Sequence, residues 1–220
     1  MPAYFPPEIQ RTAPGKAIPG MITGYYTWRD NARASRALPV PRAPSAMIIA
    51  GADLPLDPQT LFRAPPGALY TVRMAAPVVP PYAEDQNDLG IAAATEFAVT
   101  ILGIPDIIVL GHRGAALISA LLGHADRIAA LMNQSVQIPG WFTIAEEPLV
   151  RALRPGIPDA ERPRVLAEEM VRGSLENLMS YPWIVEGVMA GVIGLHGWCF
   201  DDAARTLARL DPETDDFVPI

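Results

Sequence analysis

The chain has one cysteine, Cys199, and only three histidines in 220 residues. A single cysteine excludes an intrachain disulfide and points to a reducing compartment. Cations are scarce too: 17 Lys and Arg stand against 24 Asp and Glu, a net charge of −7. That balance argues against nucleic acid or an anionic membrane as the main partner, because both are held by clustered Lys and Arg. No apolar run reaches the length of a membrane span, and residues 1–20 lack the apolar stretch of a secretion signal. Together these absences predict a cytoplasmic protein with no membrane partner. Proline is abundant, with 24 residues, many of them before Ala83. That density predicts extended arms and turns.

Half of the residues are hydrophobic, enough for a sizeable core. Residues 1–20 read as a proline-broken arm, and residues 21–220 as one domain. The spacing of Ile22, Tyr25, Tyr26 and Trp28 predicts a packed helix over residues 21–37. Ala46 to Ala50 is a short apolar run that stops at Gly51, the pattern of a strand buried on both faces. Asp57-Pro58 reads as an N-cap and first-turn proline opening a short helix to Phe62. Residues 68–76 read as a second strand and residues 77–87 as a loop. From Asp88 to Leu102 the stripe Leu89, Ala93, Phe97 and Ile101 predicts a helix that Gly103 ends.

Ile107 to Leu110 is another buried strand. Helices are predicted over residues 114–122, 126–132, 164–179 and 182–190, with residues 136–160 rich in loops. Residues 192–200 read as a strand, and residues 206–210 as its hairpin mate or a short edge strand. The alternation of strands and helices implies an α/β fold: a single three-layer domain with a central, mostly parallel sheet and one antiparallel edge strand.

In such sheets ligands bind beyond the carboxyl ends of the strands. Two apolar strands end there in small-residue turns, Gly51-Ala52-Asp53 and Gly111-His112-Arg113. If those strands are neighbours, Asp53 and His112 converge as candidate acid–base groups. Arg113, with the helix start beside it, could hold a small anion, or it could be a solvated surface arginine.

These stretches, taken in order, resemble the β-class carbonic anhydrases. In that family one strand ends in Cys-x-Asp-Ser-Arg. A Pro-Gly turn then leads to a strand ending Val-Arg-Asn-Ala, and a later strand ends Gly-His-x-x-Cys-Gly. The corresponding stretches here are GADLPLDPQTLF (51–62), PPGALYTVRMAAP (65–77) and DIIVLGHRGAALISALL (106–122). GYYTWRDN (24–31) and SLENLMSYPWIVEGVMAGVIGLHGWCFD (174–201) resemble the family's first helix and its closing helices and strand.

The resemblance implies a zinc-dependent carbonate dehydratase. The two zinc-binding cysteines, however, correspond to Gly51 and Ala115, and only the ligand His112 remains. Asp53 matches the family aspartate, but its serine neighbour and arginine partner correspond to Leu54 and Pro55. A catalytic zinc normally has three protein ligands, so no metal and no other cofactor is expected. Asp53 and His112 stay as candidate catalytic residues, with Gly51, Leu54, Arg113 and Ala115 around them as a more apolar pocket.

Three readings are open. The chain could be a non-catalytic homologue with a binding, regulatory or assembly role, for which an active paralogue is a candidate partner. It could be a metal-independent hydratase, hydrolase or lyase using Asp53 and His112. It could retain carbonate dehydratase activity with zinc held in another way. The resemblance further implies a homodimer or a higher even-numbered oligomer.

Overall fold

The computed structural model describes residues 16, 18–34, 44–83, 90–123 and 138–220. The contacts divide the chain into two compact units, one up to Val40 and one from Pro41 onward. In the first unit helix α1 spans Ile18–Ala34, starting within the expected arm. Its Tyr25, Tyr26 and Trp28 form an aromatic cluster, with ring centroids 5.6 and 6.2 Å from Tyr25. All three are exposed, so the helix face expected to be packed is not buried among the described residues.

The second unit is built on a six-stranded sheet in the order β2-β1-β3-β4-β5-β6. The strands are β1 (Ala46–Gly51), β2 (Leu69–Met74), β3 (Asp106–His112), β4 (Gly194–Asp201), β5 (Thr206–Leu210) and β6 (Phe217–Pro219). The first four lie parallel, and β5 and β6 add antiparallel pairs. β5 is the expected antiparallel strand, and β6, antiparallel to β5, adds a short strand outside it. Three residues that include a proline are too short a pattern to read as a strand, and only pairing with β5 makes them one.

The central strands explain the three layers. β1 and β3 are buried at every position but the first. Met47, Ile49, Ile107 and Val109 face one side, in a cluster with Ile91, Leu178 and Ile184 from the helices. Ile48, Ala50, Ile108 and Leu110 face the other side, where Leu54 and Phe200 complete a second cluster. Period-two alternation sends successive apolar residues to opposite faces, so both faces need cover.

Helix α2 (Pro58–Leu61) opens as expected: the Asp57 carboxylate accepts the Gln59 N–H at 2.9 Å. Helix α3 (Ile91–Glu96) runs into a π-helical turn, Phe97–Ile101, before Gly103 at φ 64°. Ile91, Thr95 and Ala98 face the core at ordinary helical spacing, and Ala93, Phe97 and Ile101 of the expected stripe are exposed.

Helices α4 (Ala116–Gly123), α5 (Ile138–Ala152), α6 (Arg162–Leu178) and α7 (Pro182–Met189) complete the unit. Residues 138–152 are helical rather than loop. Pro139, Gly140 and Pro148 hide the periodicity, yet Ala145 and Ala152 are buried in a cluster with Leu166 and Met170 of α6. The burial of that face outweighs the backbone bond lost at Pro148. The helix expected over residues 126–132 lies outside the described residues, as does His124.

Candidate functional site

Strand β1 pairs with β2 on one side and β3 on the other. The chain therefore leaves β1 in one direction and returns on its far side, which creates a crevice at the carboxyl ends of β1 and β3. Gly51 ends β1 and His112 ends β3, so the sheet brings the two expected turns together.

The β1 turn is held from β2. Arg73 Nε donates to the Gly51 carbonyl at 3.2 Å, and its terminal nitrogen donates to the carbonyls of Ala52 at 3.3 Å and Leu54 at 2.6 Å. Arg73 is thus a brace inside the chain. Leu54 turns down into the core beside Ile48 and Leu110.

Asp53 spans the gap. One carboxylate oxygen accepts the backbone N–H of Ala116 at 2.5 Å. That donor opens α4, where unpaired N–H groups and the helix dipole favour a negative charge. The other oxygen lies 2.7 Å from where a Cβ on Gly51 would stand. Asp53 thus fills the position a side chain at residue 51 would need.

His112 takes a different partner. Its side chain is 4% exposed, and its Nε2 lies 3.3 Å from Oδ1 of Asp202. The approach does not have hydrogen-bond geometry, so among the described residues neither ring nitrogen has a hydrogen-bond partner. The ring stacks on Phe200, centroids 6.4 Å apart. Gly114 closes the other side: a Cβ there would stand 3.0 Å from both His112 Nε2 and Asp202 Oδ1. Asp53 and His112 lie at adjacent strand ends, but no hydrogen bond or ion pair joins them. Asp202 is missed in the sequence because it comes one residue after the last parallel strand and belongs to no recognised pattern. The paired acidic residues after Phe200 are its only trace.

Arg113 faces outward to β4. It donates to Asp201 at 2.7 Å and to the Ala160 carbonyl at 3.3 Å. The Ala204 N–H, together with the Arg113 guanidinium, holds the Asp201 carboxyl below the usual aspartate range. A guanidinium already paired with a carboxylate offers little to an incoming anion.

Behind His112 lies a cavity of ≈ 10 Å³, lined by Pro77, Gly111, His112, Ala115, Ile118 and Met170 among others. That is room for about one water. Pro77 is placed there because Ser174 Oγ, buried on α6, sits 3.0 Å from its carbonyl and accepts the Val79 N–H at 3.1 Å.

The other candidates are accounted for locally. His196 pairs with Asp106 at 2.8 Å at the opposite end of the sheet, and both are part-exposed. Burial pushes the Cys199 thiol well up, which leaves it a packing group under α6.

A carbonic anhydrase profile matches residues 46–205. The chain belongs to the β-carbonic anhydrase family. It is 29% identical over 208 residues to a carbonic anhydrase of Pseudomonas aeruginosa, covering 91% of this chain and 90% of that one. It is 27% identical to carbonic anhydrase 1 of Escherichia coli O157:H7, covering 91% of each. The solved β-carbonic anhydrase CcaA matches with a TM-score of 0.76 and 25% identity over 94% of this chain and 93% of that one. A Coccomyxa β-carbonic anhydrase in complex with acetazolamide shares the fold with a TM-score of 0.71 and covers 94% and 88%.

At the two positions that the sequence resemblance sets against the family's zinc cysteines, the residues present do not fit zinc. Gly51 and Ala115 carry no side-chain donor atom, and Asp53 is turned to the α4 N-terminus. Among the described residues no group of three or more His, Cys, Asp or Glu is arranged to hold a metal.

Proposed function

We propose that this chain is a β-carbonic anhydrase-family protein that has given up CO2 hydration and serves in binding, regulation or assembly, with an active paralogue as a candidate partner. One observation carries the reading. The two retained acid–base groups are engaged apart from each other: Asp53 on the Ala116 N–H, His112 against Asp202. The two missing thiolates would have joined these turns through a metal. Here a carboxylate and a backbone N–H join them instead. A metal-independent reaction would need Asp53 and His112 to act on one substrate, and the small cavity behind His112 leaves little space for one.

The chain is read as a homodimer. Strand β2 forms one edge of the sheet, has six residues without proline, and is half-buried throughout. A cleft of ≈ 930 Å³ lined by Val72, Met74, Val78, Ile91 and Trp141, among others, runs beside it. A long apolar edge of this kind calls for cover.

A CO2 hydration assay with the purified protein, with and without added zinc, tests the reading. The expected result is no rate above the buffer and far less than one zinc per chain. Catalysed hydration with stoichiometric zinc would overturn it.

A further inference from the structure

We propose that strand β6 is an assembly cap: it occupies the outer edge of β5 and so confines pairing between copies to β2. The idea rests on the proposed homodimer, in which copies meet along β2. It starts from the difference between the two edges of one sheet. The β2 edge is six residues long and free of proline. The β6 edge is three residues long and contains Pro219, which has no N–H to offer a further strand.

Behind β6 lies β5, a five-residue strand whose outer backbone would be as open as that of β2 if β6 were absent. β6 covers it in register, Ala208 opposite Pro219, Arg209 opposite Val218 and Leu210 opposite Phe217. The Ile220 N–H extends the pairing to the Leu207 carbonyl at 2.9 Å.

Three residues of pairing do not hold a strand in water. The structure supplies a fastening from α6. Arg172, whose side chain is 14% exposed, pairs with Asp215 and lies 3.4 Å from Glu169. Its guanidinium carbon is 5.3 Å from the centroid of the Phe217 ring. Phe217 in turn packs against the main core cluster. The turn before β6 is closed by the Asp211 N–H on the Asp216 carbonyl at 2.8 Å and the Asp215 N–H on the Asp211 carbonyl at 2.9 Å. A side chain from another layer, a ring in the core and a closed turn thus hold a strand too short to stay alone. The surface this denies is an antiparallel edge, and the partner it would fit is β5 of a second copy.

Light scattering after size exclusion tests the cap on three proteins: the full chain, a chain ending at Asp211, and full-length Arg172→Ala. Circular dichroism checks that each is folded. The cap predicts that the full chain runs at twice its chain mass and that the shortened chain at least doubles that value. A peptide of residues 214–220 should return the shortened chain to the lower mass. Arg172→Ala should gain mass as its concentration rises. A folded shortened chain with the mass of the full chain overturns the cap and leaves the β2 reading standing. A full chain that is monomeric while the shortened one is dimeric does the reverse. A full chain already at four copies overturns the cap. If the shortened chain does not fold, Arg172→Ala decides, and a mass unchanged across concentration overturns the cap.

Discussion

Asp202, rather than Asp53, is the carboxylate that faces His112, with 3.3 Å between Oδ1 and Nε2. The imidazole is buried and the carboxylate is about half-exposed, so the pair sits at the boundary between core and water. Replacing Asp202 with alanine is expected to cost about 1 kcal/mol, because a buried polar ring loses its neighbour while the group removed is well solvated. Asp202→Asn should retain most of that. Urea denaturation of the three proteins compares them, and an unchanged midpoint in Asp202→Ala would show that the approach carries no energy.

Asp53 should act as a stabilising tie. Asp53→Ala removes the acceptor for the Ala116 N–H at the start of α4. A lost cap costs about 1 kcal/mol, so Tm should fall by about 2–4 °C for a chain of this size. Asp53→Asn keeps an acceptor but loses the charge and should fall between. Calorimetry gives the order.

The Asp201 carboxyl gives a pH test. It is held low by the Ala204 N–H and by Arg113. A lowered folded pKa contributes stability above the usual aspartate value and loses it as pH falls through the folded one. Asp201→Asn should therefore be less stable than the parent at pH 7. The difference should close below about pH 4. Denaturant midpoints across that range check the sign, and a gap that widens on acidification would contradict it.

Sulfur introduced at positions 51 and 115 should create a metal site. A Cβ at residue 51 meets only the movable end of Asp53 at 2.7 Å and Pro77 Cδ at 3.5 Å. Gly51→Cys combined with Ala115→Cys should accept the new side chains once that carboxylate swings aside. The double variant is expected to bind Co²⁺ with a thiolate-to-metal absorption band, and the parent is not. A folded double variant without that band would mean that the turns have drifted beyond a metal's reach.

Gly111 sets how closely α6 approaches the sheet. A Cβ there would stand 2.6 Å from Val171 Cγ2 and 2.9 Å from Cys199 Sγ. Gly111→Ala should destabilise by about 1–3 kcal/mol through overpacking. Thermal unfolding measures it, and a neutral result would show that α6 moves freely.

Much of the fold is legible in the sequence because it depends on local pattern. Unbroken apolar runs ending in Gly51 and in Gly111-His112 make buried parallel strands and place two turns at one end of the sheet. The absence of sulfur at positions 51 and 115 is equally plain, since a donor atom is either present or absent in the side chain. Other features depend on distance along the chain that only folding closes. Asp202 reaches His112 because β4 lies beside β3, and no spacing along the chain reveals that. The helix at 138–152 exists because α6 buries its face, although its prolines argue otherwise. Strand β6 exists because Arg172, 43 residues before Asp215, holds the turn that leads into it. Local patterning determined the layers and set residues without a donor atom at positions 51 and 115. Tertiary packing decided which carboxylate faces the histidine and which edge of the sheet is left open.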